Sequence, residues 1–432
     1  MSTAAVPATH ASPATSYDPL ASAFRDDPFP QYRVLRDATP VFRSPGSRVV
    51  CISRYDDVFG LLNDPKRFSS RAMNTMLMNQ GREGPPPLSF AVVRLIVKLL
   101  WRTRMRPARF ATARMLIAED GESHSALRSI VNRGFTPRGV ASLEGRVRTV
   151  AEEQLAPLRR GERYDVVHDL AVALPLRMIC EILGIEPERR DDFKRWSDCV
   201  IENVSTVAGH SVLFSRGMVD VFVEMVEYLK GVCAERRARP TDDLISTIVT
   251  GDATLDDYEV VQFVMLLLVA GNETTTNLIG NAVEALLDHP EQAEHLAAHP
   301  ELAEAAIEEV LRFDSPIQLV FRTATEDVEL HGETIPAGSI VAPLLGSANR
   351  DERRFPDPDR FDVERRPRAH VAFGFGKHFC LGASLARLEA TCALEALLPL
   401  LPRLRRAGPR SPRLDSFLVR GPSALPVALA PR

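Results

Sequence analysis

The chain has 432 residues, 45% of them hydrophobic and 25% charged, with a formal net charge of −4. That balance suits a globular protein that buries a sizeable core, and it excludes a molecule built as a whole to bind nucleic acid. The six cysteines (Cys51, Cys180, Cys199, Cys233, Cys380 and Cys392) include no C-x-x-C pair, which argues against zinc and against a disulfide framework and suits a reducing compartment.

Residues 1–17 are rich in Ala, Pro, Ser and Thr and read as a disordered tail, neither signal peptide nor anchor. No apolar run reaches the ~20 residues that span a bilayer. Residues 48–53 read as a strand and 55–63 as a short helix. After a Gly/Pro break at 81–87, residues 88–106 predict an amphipathic helix. Arg94, Lys98, Arg102 and Arg106 recur there every four residues as a cationic stripe, while Leu95, Ile96, Leu99, Leu100 and Trp101 fill much of the remainder. The stripe has three readings: a dock for an acidic partner such as a carrier protein, a contact with an anionic membrane surface, or a solvated face, the commonest fate of a charge run.

His124 and Arg128 form the one H-x-x-x-R of the chain, and i, i+4 spacing puts both on one helix face. Residues 143–158 and 212–239 read as long helices. Thr254 reads as an N-cap followed by acids, and the helical pattern after it persists to 288. That is roughly 33 residues, or ~50 Å at 1.5 Å per residue. Inside it, Ala270-Gly271-Asn272-Glu273-Thr274-Thr275 breaks an apolar run. An interior glycine costs ~1 kcal/mol, and buried polar groups need partners. On those grounds a functional segment and a kinked helix, with Thr274 bonding back to the Ala270 carbonyl, stand level.

Glu309 and Arg312 sit at i, i+3, as an ion pair would, although Glu186 and Arg189 fit the same E-x-x-R expression at a helix start. Short extended pieces return at 328–340, so the fold class is mostly α with small β-sheets. The run Phe373-Gly374-Phe375-Gly376-Lys377-His378-Phe379-Cys380-Leu381-Gly382 then precedes a helical pattern over 383–400. A thiol at a helix N-terminus meets unpaired N–H groups and the positive end of the dipole, which favour a thiolate and hence a metal ligand. The plain alternative is a buried cysteine at a loop-to-helix junction.

This F-G-x-G-x-H-x-C-x-G run resembles the haem-binding loop of the cytochrome P-450 family, the haem-thiolate monooxygenases, and the resemblance extends over residues 19–422. It implies the cytochrome P-450 fold: one haem domain over 18–432, with haem b between a long distal helix and a proximal cysteine loop. Thiolate ligation is the known arrangement of that family. The resemblance makes Cys380 the iron ligand, with Phe373 against the thiolate side of the porphyrin and Gly382 at the loop's end. His124, Arg128, Arg322 and His378 become propionate contacts, since two buried propionates need several donors. Residues 270–274 match the A-G-x-[D/E]-T oxygen-binding motif. Ala270 and Gly271 would leave room beside the iron, Thr274 would hydrogen-bond dioxygen, and Glu273 would relay protons. Glu309 and Arg312 would buttress the haem.

The resemblance also makes 18–36 the opening helix and places 88–106 over the substrate, with its apolar face roofing a cavity and its cations in solvent. Leu266, Val269, Leu319, Val320, Phe417 and Leu418 are pocket-wall candidates by position, and each fits plain core equally well. No flavin or iron–sulfur domain follows in the sequence. A separate ferredoxin-type donor is therefore expected on a proximal face bearing Arg365, Arg366, Arg368, Lys377 and Arg387. The reading is a cytoplasmic, monomeric monooxygenase of secondary metabolism that puts one atom of O2 into a hydrophobic small molecule. The rivals are a peroxide-driven peroxygenase, whose family members lack the acid–alcohol pair, and a non-catalytic haem-thiolate recruitment or sensor module.

Overall fold

The computed structural model describes residues 16–78, 90–205, 216–251 and 253–431. The expected tail lies outside these residues except at its end. Tyr17 is already buried, its ring 5.2 Å from Phe24 and 5.9 Å from Tyr32. The described chain is mostly helix with small sheets of five, three and two strands. Among these residues no helix is long and apolar enough to cross a membrane.

The five-stranded sheet runs Val41–Arg43, Val50–Ile52, Ile340–Pro343, Arg322–Ala324, Phe68–Ser69. Its second and third strands are parallel, and the other pairs are antiparallel. The outer pairing sets Ser69 opposite Thr323. It therefore carries two distant segments, the turn after Phe68–Ser69 and the start of Arg322–Ala324, to one place. Both contribute to the site described below.

Two helical cores flank that place. Helices Glu144–Arg159, Thr274–Asp288, Ala303–Phe313 and Ala383–Leu397 bury apolar faces in one of them, among them Leu155, Ile279, Ile307 and Leu394. Helices Arg216–Ala238 and Asp257–Leu267 bury theirs in the other, with Val226 and Val264 at full burial. Buried aliphatic side chains at helical spacing are the main source of stability in both.

The distal helix begins later than Thr254. Asp256 is the N-cap: its carboxylate accepts from Glu259 N at 2.9 Å, and Glu259 Oε2 accepts from Asp256 N at 3.0 Å. This reciprocal box satisfies two N–H groups, which a threonine two residues earlier would not do. The helix is also not uniform. Asp257–Leu267 is followed by a wide π turn, Leu268–Glu273, before regular winding resumes at Thr274–Asp288.

The basic segment is a helix, Phe90–Lys98, continued by a π turn, Leu99–Thr103, and ended by Arg104 at φ 56°. Its orientation reverses the expectation. Arg94 pairs with Asp220 at 2.7 Å, Lys98 pairs with the same carboxylate, and Arg102 Nε lies 3.1 Å from Glu227 Oε1. The stripe is clamped to helix Arg216–Ala238, and Leu95 and Leu99 pack into the core beside it. Val93, Val97, Leu100 and Trp101 face solvent instead of roofing a cavity.

Candidate active site

The loop before helix Ala383–Leu397 is built by its glycines. Gly374 and Gly376 have φ +69° and +70°, which side chains rarely adopt. A Cβ on Gly376 would also stand 2.9 Å from the Leu62 carbonyl oxygen. The turn closes when Cys380 N donates to the Phe373 carbonyl at 2.9 Å. Cys380 thus sits at the helix start. It is the one exposed cysteine; the other five are buried. Protein surroundings push its thiol up, while the Gly382 N–H and the guanidinium groups of Arg128 and Arg387 pull it down. Arg387 also lies 4.5 Å over the Phe373 ring.

Four cationic or basic side chains converge nearby. The rings of His124 and His378 lie 4.1 Å apart. Ser70 Oγ lies 2.9 Å from His378 Nε2. Asp120, next to the helix Gly121–Asn132, accepts from Ser69 Oγ at 2.5 Å and Ser70 N at 3.1 Å, and lies 3.6 Å from His378. Burial, then His124 and Arg322, holds the His378 imidazole down at about 3. Burial, then Arg128, lowers His124. Arg322 is buried and, among the described residues, donates to the Phe321 carbonyl alone, at 2.8 Å; burial pulls its guanidinium down to about 10. His124 Nε2 is buried without a hydrogen-bond partner among the described residues.

This cluster fits haem. Asp120 faces His124, His378 and Arg322, while half-buried Arg128 donates to Asn132 Oδ1 at 3.1 Å beside them. Buried donors that lack acceptors call for anions, and two propionates would supply them. The backbone leaves room for a flat group: a Cβ on Gly271 or Gly382 would meet nothing within 4 Å.

On the distal helix, Ala270 is exposed although Leu267 and Leu268 are buried. Thr274 Oγ1 donates to the Ala270 carbonyl at 2.5 Å. That back-bond is the contact expected of a kinked helix, and it occurs where the π turn returns to regular winding. Glu273 points elsewhere. Burial raises its carboxyl, the nearby Asn277 amide opposes the rise, and Asp198 reinforces it. Asn272 Nδ2 donates to Ser197 Oγ at 3.2 Å, tying this turn to helix Arg190–Ser205.

The family model for Cytochrome P450 matches residues 102–400. The chain belongs to the cytochrome P450 family. The vitamin D(3) 25-hydroxylase of Pseudonocardia autotrophica is 36% identical over 96% of this chain and 97% of its own. The structure of the P450 CYP109Q5 from Chondromyces apiculatus superposes with a TM-score of 0.82 at 38% identity, covering 97% of this chain and 99% of that one. P450BioI, solved in complex with an acyl carrier protein ligated to hexadec-9Z-enoic acid, gives 0.81 at 31% identity, covering 94% and 99%. This P450 is thus a haem-thiolate monooxygenase, an oxidoreductase that binds haem b.

The remaining sequence candidates divide by burial. Glu309 and Arg312 form a fully buried bidentate pair. Leu319 and Phe417 are buried in a core cluster with Phe321, whereas Leu266, Val320 and Leu418 are partly accessible. Val269 lies in the π turn, and its side chain is outside the described residues. The proximal cations are not equivalent. Arg365 is engaged with Glu309 at 3.1 Å and Arg387 with Glu308 at 2.6 Å. Arg366, Arg368 and Lys377 are exposed. A cavity of about 580 Å³ lies on this side, lined by Arg366, Arg368, Phe373 and Phe379 opposite Glu301 and Glu304.

Sequence reasoning missed Asp120, Ser69, Ser70 and the Asn272–Asn277 surroundings of Glu273. Asp120 carried a signal, an acid directly before a glycine that opens a helix. The serines carried none, because only strand pairing brings them to the site.

Proposed function

We propose that this P450 hydroxylates or epoxidises a hydrophobic small molecule with electrons from a separate ferredoxin-type protein. Residues 18–432 serve as one haem domain, and the protein acts as a cytoplasmic monomer in secondary metabolism. The observation that carries the proposal is a helix-start thiol near Arg128 and a cluster of His124, His378 and Arg322 around Asp120. Haem, when bound, supplies dioxygen activation and transfer of one oxygen atom.

The chain's own groups do the rest. Cys380 would hold the iron as a thiolate; burial raises its thiol, and the Gly382 N–H and the guanidinium groups of Arg128 and Arg387 offset part of that rise. His124, Arg128, Arg322 and His378 hold the propionates. Ala270 and Gly271 leave the distal face open. Thr274 swings its hydroxyl from the Ala270 carbonyl toward the reacting oxygen, and Glu273 passes protons to it from the side of Asp198. A carboxyl raised by burial keeps its proton to higher pH than a free one, which suits a proton donor. Leu266, Val320 and Leu418 offer apolar wall to the substrate. A secosteroid-like or polyketide-like skeleton suits such a wall, and similarity to the vitamin D(3) 25-hydroxylase supports that size class. The donor docks on Arg366, Arg368 and Lys377, the cations free of the Glu308 and Glu309 pairs.

Turnover of a hydrophobic test panel with a surrogate ferredoxin and reductase decides the matter. Product should depend on ferredoxin and fall in the charge-reversed Arg366→Glu, Arg368→Glu variant. Equal turnover with hydrogen peroxide alone would make the protein a peroxygenase, and no turnover under either condition would leave a binding module.

A further inference from the structure

Among the described residues, the large hydrophobic side chains left exposed are Val93 (45%), Val97 (56%), Leu100 (47%), Trp101 (83%) and Phe379 (40%). Four of the five lie within nine residues of one helix. Their spacing places them along a single face. The helix cannot roll this ridge inward. Doing so would break the pairs of Arg94 and Lys98 with Asp220 and of Arg102 with Glu227, and withdraw Leu99 from the core. Lys230 also donates to the Thr103 carbonyl at the far end. Directly beyond the ridge stand Arg104 and Arg106, both exposed and without an acidic partner among the described residues.

We infer that this ridge docks the enzyme peripherally on an anionic phospholipid surface. The apolar side chains would enter the headgroup layer, with Trp101 at the interface, and Arg104 and Arg106 would meet the phosphates. The other occupants fit less well. An acidic carrier protein needs free cations, and three on this helix are already neutralised by Asp220 and Glu227. A second copy of the chain needs ~800 Å² per partner. One tryptophan, at ~150–250 Å², with three half-exposed aliphatic side chains falls well short. A lipid surface needs less: an apolar ridge with the two cations, Arg104 and Arg106, that stand beside it.

The holoenzyme is mixed with vesicles of pure phosphatidylcholine and of phosphatidylcholine with phosphatidylglycerol, and sedimented. Trp101 emission is a direct reporter, because the other tryptophan, Trp196, is 1% exposed. Binding to the anionic vesicles is expected, with a blue shift and weakening at high salt. The double variant Val97→Ser, Trp101→Ser should bind at least tenfold more weakly with an unchanged haem spectrum. The Arg104→Gln, Arg106→Gln variant should lose the preference for anionic lipid. Failure of the wild type to bind, or equal binding by the serine variant, overturns the inference. So does a concentration-dependent dimer, or a complex with an acidic acyl carrier protein, that the serine variant abolishes.

Discussion

Arg312 lies one helical turn after Glu309 and grips both carboxylate oxygens, Nε to Oε2 at 2.7 Å and Nη2 to Oε1 at 2.8 Å, with neither side chain exposed. The remaining donors of Arg312 reach the carbonyls of Asn349 and Pro358, and Arg365 adds a second cation to Glu309. One pair therefore pins the irregular segment before the cysteine loop to helix Ala303–Phe313.

Removing one member leaves the other charged and buried. Glu309→Ala should lose about 3–5 kcal/mol of stability and much of the bound haem, read by thermal unfolding and by pigment content. The paired replacement Glu309→Leu, Arg312→Leu should fold better than either single variant. A loss under about 1 kcal/mol in Glu309→Ala would mean that the pair does not hold this segment.

Arg322 predicts effects of opposite sign in the two states. Its guanidinium, buried with few acceptors, is a liability in the haem-free chain and an asset once anions arrive. Arg322→Leu should raise the melting temperature of the apoprotein. It should also speed haem loss by roughly 10- to 100-fold, the worth of a charged hydrogen bond at about 1.5–3 kcal/mol. Haem transfer to an acceptor protein measures the second effect. Unchanged transfer would remove Arg322 from the propionate site.

Thr274 is predicted to govern efficiency more than electron consumption. In Thr274→Ala, reductant consumption should continue while product per reductant drops by roughly tenfold or more. Thr274→Ser keeps the hydroxyl and should stay near wild type. An unchanged product-to-reductant ratio in the alanine variant would assign the Thr274–Ala270 contact to helix geometry alone.

Glu389, on helix Ala383–Leu397, is buried, and burial raises its carboxyl from 4.5 to about 8. Between those values the unfolded chain has released the proton and the folded chain has kept it. Native stability therefore falls as pH rises through this window, and the penalty is complete above the folded value. Glu389→Gln should match the wild type near pH 4.5 and exceed it increasingly up to pH 8, by a few kcal/mol at most. Denaturant titrations at several pH values test this, and a gain independent of pH would refute it.

The sequence revealed the proximal loop because its chemistry is local. Glycines at positive φ, the cysteine and the following helix occupy ten consecutive residues. It revealed Glu309 and Arg312 because one turn of helix joins them. The propionate cluster was half legible: His124, Arg128 and His378 lie in short motifs and Asp120 is the N-cap residue of the helix that carries His124, but Ser69 and Ser70 meet them only through strand pairing. The basic helix shows the limit most clearly. Spacing places Arg94 and Lys98 on one face, but which way that face turns is decided by Asp220, 126 residues from Arg94 along the chain. The start of the distal helix was misplaced at Thr254, because Thr254, Asp256 and Asp257 are all plausible caps and only Asp256 has a glutamate three residues on.

The wide turn at Leu268–Glu273 has a consequence for how this helix can vary. Before it, Val260 and Val264 serve one hydrophobic interior; after it, Ile279 and Val283 serve the other. A π turn carries one surplus residue, and each residue is worth about 100° of rotation. That surplus is the phase correction that lets a single rod engage two interiors at once. Length is accordingly the property this stretch can least change. Excising one position would swing Thr274 and every later side chain a quarter-turn out of step, whichever amino acid was taken.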